Sequence, residues 1–389
     1  MYAQLRNPPK VVLGPDCFSD LPEFLAHKGS RDVVVCMDSF FYQASAFVLA
    51  FVEECSFRGV NVIVTAVVPG EPTATECDRL WKSLEQHDVD CVVAIGGGSA
   101  LDYGKALSAS LSSGLSALEI GSKPKSFTCL PFIAVPTTSG SGSECTDGAV
   151  ILDEETGLKF AMISDALIPT AVFLDPALTL SCPPRPTALA AIDAFTHGVE
   201  SMVARDHAVG LTKGRTPLST VLSRASLSLI VPSLAALGER PDDLSVRENL
   251  MYGSHLAGQA LAASGLHAIH ALAYGLAAQT HRPHGECLAK FLPAAAAVLK
   301  TQRREDFQWL EELLASASFA GETCSEQLEA LIDSLGLNTP FADVLDMQKL
   351  VSDAIAIHRL SDNVPGNAAE IIRRIAELAL QRTPGELVK

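Results

Sequence analysis

The first half of the chain alternates between short β-branched runs and longer helix-like stretches. That alternation restricts the fold more than any other feature of the sequence. Val33–Asp38, residues 60–68, residues 91–95 and residues 132–135 are apolar and rich in Val and Ile, as strands buried on both faces are. Helix-like stretches near residues 42–57 and 73–87 separate the first three. Strand, helix, strand at this spacing builds a parallel sheet with helices on its faces, because parallel strands need long crossovers. Residues 147–175 depart from the pattern. Two strand-like runs, ending at Ile163, surround the acidic turn Asp153-Glu-Glu-Thr-Gly157, which predicts a hairpin beside the parallel sheet.

The alternation stops at Ser181-Cys-Pro-Pro-Arg-Pro186, where three prolines in four residues interrupt regular structure. Ala- and Leu-rich helical patterns follow to the C-terminus. The expected division is an α/β domain over residues 1–183 and an all-helical domain over residues 184–389. Residues 203–216 lack periodicity and read as a loop. At 48 % hydrophobic residues, the composition is that of a core-rich soluble enzyme. The net charge of −16, with no basic run, argues against nucleic acid as a partner. The N-terminus has no apolar signal core, and no uninterrupted apolar run reaches the ~18 residues that span a bilayer. The ten cysteines form no C-x-x-C pair, as expected of reduced thiols in a cytoplasmic protein.

Two glycine- and hydroxyl-rich segments follow strands. Cys91-Val-Val-Ala-Ile runs into Gly96-Gly97-Gly98-Ser99 and then into a helix that carries Asp102 and Lys105. Glycines admit a diphosphate close to the backbone, and the new helix offers N–H groups and a positive dipole end. A tight strand-to-helix turn without a ligand would use the same residues. Pro136-Thr137-Thr138-Ser139-Gly-Ser-Gly-Ser-Glu144 follows the next strand, where the nucleotide crevice of an open α/β sheet lies. Neither segment is the G-x-G-x-x-G fingerprint. Asp38 ends an early strand. A carboxylate there would hold the adenosine ribose and repel a 2′-phosphate, favouring NAD(H) over NADP(H), or it is a surface turn aspartate.

In the second half, Asp193 and His197 stand four apart, on one face of a helix. His270 and His284 follow in separate segments. Three imidazoles and a carboxylate suit a divalent transition metal such as iron or zinc.

Taken together, these segments resemble the iron-containing (group III) alcohol dehydrogenases. The matching stretches are Gly96–Lys105, Pro136–Glu144, Asp175-Pro176, Asp193-Ala-Phe-Thr-His197-Gly-Val-Glu200, His270-Ala-Leu and Pro283-His284-Gly285, in the family's order. The resemblance implies a dehydroquinate synthase-like architecture with an N-terminal dinucleotide-binding domain and a helical metal-binding domain. It also implies Asp193, His197, His270 and His284 as ligands of Fe(II). Gly97, Gly98, Ser99, Asp102, Thr137, Thr138 and Lys159 fall on cofactor-contacting positions. Many members carry a histidine four residues after the third ligand as a proton relay. Here that residue is Tyr274, whose hydroxyl ordinarily ionises near pH ~10. His267, three residues before His270, is expected to share its helix face and to be a substitute relay, or else a structural histidine.

The expected activity is hydride transfer between NAD(H) and a small alcohol or aldehyde, by a cytoplasmic homodimer. The His-Ala-Leu-Ala-Tyr274 pattern is similar to that of a branch reducing phosphonoacetaldehyde. Arg282, Lys213 and Arg215 would then read an anionic group, or lie solvated on the surface. Zinc-dependent polyol dehydrogenase relatives, metal-free maleylacetate reductase relatives and a non-catalytic binding protein on the same fold are the rival readings.

Overall fold

The computed structural model describes residues 10–68, 70–122, 127–207, 213–338 and 346–381. They fall into two compact units, one ending at Ser181 and the other starting at Cys182.

The first unit is built on six parallel strands: β1 (Lys10–Leu13), β2 (Asp32–Asp38), β3 (Asn61–Val67), β4 (Cys91–Gly96), β5 (Phe132–Pro136) and β8 (Ala171–Leu174). A separate antiparallel hairpin pairs β6 (Gly148–Asp153) with β7 (Leu158–Ile163). The expected parallel sheet and its hairpin are therefore both present. β1 and β8 are the strands the sequence pattern did not reveal. Each has four residues, too few for a period to register, and they pair with each other from Lys10↔Ala171 to Leu13↔Leu174. On one face of the sheet, Val33, Val35, Met37, Val93, Ile95, Ile133, Val135 and Phe173 form a continuous core. They pack there with α1 (Leu21–His27) and α3 (Ser45–Phe57). The short α2 (Ser39–Gln43) leaves the end of β2, and α4 (Ala74–Leu84) and α5 (Gly98–Ser113) follow β3 and β4. Two further short helices, α6 (Ala117–Ser122) and α7 (Pro176–Thr179), complete this unit.

The strand order is β1-β8-β5-β4-β2-β3. From β2 the chain crosses outward to β3 and then returns to the other side of β2 to form β4. The order thus reverses between β2 and β4, and ligands of open α/β sheets bind at the carboxyl ends of strands at such a switch point. Asp38 ends β2 and Gly96 ends β4, one step beyond the paired residues Met37 and Ile95.

The second unit is helical: α8 (Pro184–Val203), α9 (Pro217–Leu237), α10 (Leu244–Ser264), α11 (Ala268–Thr280), α12 (His284–Leu299), α13 (Arg304–Ser316), α14 (Cys324–Ser334), α15 (Met347–Ala356), α16 (His358–Ser361) and α17 (Ala368–Gln381). The proline cluster opens α8 and does not lie in a break. Pro184 and Pro186 occupy its first turn, where a missing N–H removes no intrahelical bond. Phe195, Leu227, Leu272, Leu288 and Phe291 share one core contributed by α8, α9, α11 and α12. α9 is long and apolar enough to cross a membrane by length and composition, although Arg224 and its serines keep it from being an uninterrupted apolar run. Its Leu227, Ile230, Val231 and Leu234 are buried in the helical core.

Of the expected loop at 203–216, residues 208–212 lie outside the described residues. The flanks are pinned together. The His207 N–H donates to Arg215 O at 2.9 Å and the Arg215 N–H to Arg205 O at 2.8 Å.

Candidate active site

Three helices bring the four candidate ligands of the second unit together. α8 presents Asp193 and His197, α11 presents His270, and α12 opens with His284. Asp193 Oδ1 lies 3.2 Å from His197 Nε2, 3.4 Å from His270 Nε2 and 3.8 Å from His284 Nε2. The His197 and His270 rings stack with centroids 4.9 Å apart. Burial alone would raise the Asp193 carboxyl, but the imidazoles of His197, His270 and His284 hold it far below the usual carboxylate range. Three imidazole nitrogens aimed at one carboxylate oxygen fit a divalent transition-metal ion in ligand type and number. Gly285 lets His284 into the cluster. A Cβ at that position would stand 2.5 Å from Leu189 O, so only glycine lets α12 approach α8 this closely.

Glu200 ends the Asp193–Glu200 stretch, and nothing in the sequence pattern marks its role. It lies fully buried, seven residues after Asp193 and three after His197, so it continues their helix face. Its Oε2 accepts from His270 Nδ1 at 2.8 Å and from the His267 N–H at 3.0 Å. Its Oε1 accepts from the Ile269 N–H at 2.6 Å and the His270 N–H at 3.4 Å. Burial pushes this carboxyl up, and the His267 and His270 imidazoles outweigh that and hold it at about 2. Burial in turn would lower His270, and Glu200 and Asp193 carry it up to about 9.

His267 does not share a helix face with His270. It is the residue before α11, with φ −149° and ψ −123°, and its side chain is fully buried. Its Nε2–H donates to the Glu200 backbone oxygen at 3.1 Å and its Nδ1 lies 3.4 Å from Glu200 Oε1. Burial lowers its basicity. A proton relay must reach solvent or the reacting group, and both His267 nitrogens face Glu200, so the geometry corrects that expectation toward a structural role. Tyr274 instead lies among the ligands. Its ring stacks on His284 at 5.4 Å and meets His270 edge-on at 6.2 Å.

In the first unit, the loops after β4 and β5 lie against each other. The Thr137 N–H donates to Gly96 O at 2.9 Å. A Cβ on Gly97 would come within 3.3 Å of Thr138 Oγ1, and one on Gly98 within 2.6 Å of Ser141 Oγ. The glycines thus let the second loop pack onto the first, and Ser99 follows in the first turn of α5. The Asp38 carboxylate caps α2 by accepting from the Phe40 N–H at 2.9 Å. Asp102 accepts from Ser143 Oγ at 2.7 Å and the Val150 N–H at 3.0 Å, so it braces both the second loop and the hairpin. Lys105, also fully buried, donates from Nζ to Ser143 O, Thr146 O and Gly148 O at 2.6–2.9 Å. Burial lowers its basicity against the opposing charge of Asp102. Lys159, on β7, pairs with Glu71.

The cations offered to an anionic substrate are engaged by the protein. Arg282 lies 3.3 Å from Glu286, Arg215 lies 3.0 Å from Asp306, and Lys213 donates to Ala262 O.

Comparison with known proteins finds relatives over both units. The family profile described as iron-containing alcohol dehydrogenase matches residues 8–176, and that of the Fe-containing alcohol dehydrogenase family, C-terminal, matches residues 187–376. A probable alcohol dehydrogenase, EutG, of Salmonella typhimurium is 32 % identical, over 86 % of this chain and 83 % of its own. Among solved structures, an alcohol dehydrogenase from Oenococcus oeni superposes with a TM-score of 0.86 at 27 % identity, over 97 % of this chain and all of that one. A sulfoacetaldehyde reductase from Bifidobacterium kashiwanohense, in complex with NAD+, has the same fold with a TM-score of 0.85 at 22 % identity, over 98 % and 100 % of the two chains. The chain belongs to the iron-containing alcohol dehydrogenase family of oxidoreductases.

Proposed function

We propose that this protein is an NAD(H)-dependent alcohol dehydrogenase that reduces small aldehydes, with Fe(II) held by Asp193, His197, His270 and His284. The observation that carries this reading is the convergence of three imidazole Nε2 atoms on Asp193 Oδ1 within 3.2–3.8 Å. When bound, the ion supplies Lewis-acid polarisation of the substrate oxygen, and the nicotinamide supplies the hydride. Asp193 contributes the negative charge of the ligand set. Tyr274 holds the proton that the product oxygen takes up, which completes aldehyde plus NADH plus proton to alcohol plus NAD+. Gly97, Gly98, Ser99, Thr137 and Thr138 receive the dinucleotide phosphates at the switch point. Asp102 and Lys105 hold those loops in place. Asp38 accepts from the ribose hydroxyls and disfavours a 2′-phosphate. Ten free thiols, eight of them buried, suit a reducing compartment, and the reading takes the enzyme as a cytoplasmic homodimer.

A second reading, an anionic aldehyde as substrate, draws support from the sulfoacetaldehyde reductase neighbour. The engagement of Arg282, Arg215 and Lys213 by protein groups favours a neutral aldehyde. The test is NADH oxidation by anaerobically Fe(II)-loaded enzyme on neutral, phosphonate, sulfonate and carboxylate aldehydes, with the Zn(II)-loaded protein in parallel. Turnover of neutral aldehydes with iron supports the first reading. Preference for one anionic aldehyde selects the second, and activity with zinc alone overturns the iron assignment. His270→Ala is expected to lose metal and turnover together while NADH still binds. Unchanged metal content in that variant removes His270 from the ligand set.

A further inference from the structure

Glu200 is tied to His270 by its side chain and to the start of α11 by three backbone N–H groups. We infer that Glu200 is the positioning residue of the metal centre: it fixes the His270 tautomer so that Nε2 is left for the ion. The inference rests on the metal reading given above. An ionised carboxylate can only accept, so the contact of 2.8 Å requires the proton on His270 Nδ1. Nε2 then faces Asp193 Oδ1, 3.4 Å away, and is the nitrogen that would give up its proton to an ion there. The same carboxylate takes the N–H groups of His267, Ile269 and His270, which are N–H groups at a helix start that have no intrahelical partner. A single side chain on α8 therefore anchors α11 and orients its imidazole. Its own helix already carries Asp193 and His197, so three of the four ligands are referenced to α8. A carboxylate behind a ligating histidine sets both ring orientation and tautomer in metal sites generally.

Glu200→Gln separates these tasks. The amide oxygen, in the Oε1 position, can still accept from the Ile269 and His270 N–H groups, and only the His267 N–H loses its acceptor. The amide NH2 group would then face His270 Nδ1 and favour the tautomer with the proton on Nε2, which cannot coordinate. The experiment is chelator competition with Fe(II), and with Co(II) as a spectroscopic stand-in, on wild type, Glu200→Gln, and Leu331→Ala as a destabilised control distant in sequence. The 15N histidine spectrum of each metal-free protein is recorded alongside above pH 9, where the His270 imidazole is neutral. The expected result is an affinity loss of about 10–100-fold in Glu200→Gln, with the His270 signal moved to the other tautomer and wild-type affinity in the control. Wild-type affinity and an unchanged tautomer in Glu200→Gln overturn the inference. So does an equal loss in Leu331→Ala, which would reduce Glu200 to a stability element. Failure of the wild type to bind either ion overturns the metal reading itself.

Discussion

Tyr274 and Asp38 are the two residues whose chemistry separates this chain from its alternatives. Tyr274 stands where a relay histidine is common in the family it resembles, and its ring lies flat on His284. Tyr274→Phe keeps that stack and removes only the hydroxyl. Metal content is expected to stay at the wild-type level while kcat falls by roughly 10²-fold, the lower range for a lost general acid. A kcat within a factor of two of wild type would take the proton away from Tyr274. Asp38 caps α2 and sits beside the switch point. Asp38→Gly is expected to raise NADPH use relative to NADH, read as the ratio of kcat/KM values. A wild-type enzyme that already prefers NADPH would show that the carboxylate does not exclude the 2′-phosphate.

Among the elements, the α5–hairpin contact depends on buried polar groups that the sequence does not display. Lys105 has the look of a solvent-facing lysine in a helix, yet it lies fully buried and satisfies three carbonyl oxygens of the segment 143–148. Buried acceptors left without a donor cost about 1–3 kcal/mol each. Lys105→Met is therefore expected to destabilise the protein by roughly 3 kcal/mol and to weaken NADH binding, as read by denaturant midpoints and fluorescence titration. A midpoint equal to wild type would mean that the segment re-pairs its carbonyls elsewhere. Glu200 is the corresponding element-scale contact in the helical unit. Its spacing from Asp193 and His197 was visible, and its partners at the start of α11 and just before it, 67 to 70 residues later, were not.

For the whole molecule, the thiols give a test that needs no ligand. All ten cysteines are free, with only Cys129 and Cys182 partly accessible. Burial pushes Cys36, Cys55, Cys91 and Cys324 from an ordinary 9.0 to about 12. Because the folded values are raised, the unfolded chain releases these protons first as pH climbs. Their contribution is fully present below pH 9 and is lost between 9 and about 12. The thermal midpoint is expected to fall steadily from pH 9 upward, and a thiol reagent at neutral pH to reach at most Cys129 and Cys182 in the folded protein and the rest only on unfolding. Rapid labelling of more than two would contradict the packing around the sheet and the helical core.

Local pattern along the chain specifies the α/β half, the hairpin and the helical half, and it nominates the candidate ligands. Each of these rests on local periodicity or on residue types that chemistry rarely combines by accident. It did not show β1 and β8, whose four residues carry no period and are stabilised by pairing with each other. It did not show that the proline cluster opens α8, since proline disrupts a helix interior and suits its first turn alike. The placement of His267 followed the same rule: helical spacing suggested a shared face, and the helix begins one residue too late. Only long-range packing makes Asp38 and Gly96 flank a reversal of strand order, ties Glu200 to His270 and buries Lys105. Each depends on contacts between segments far apart in the chain, and no local pattern encodes the distance between them.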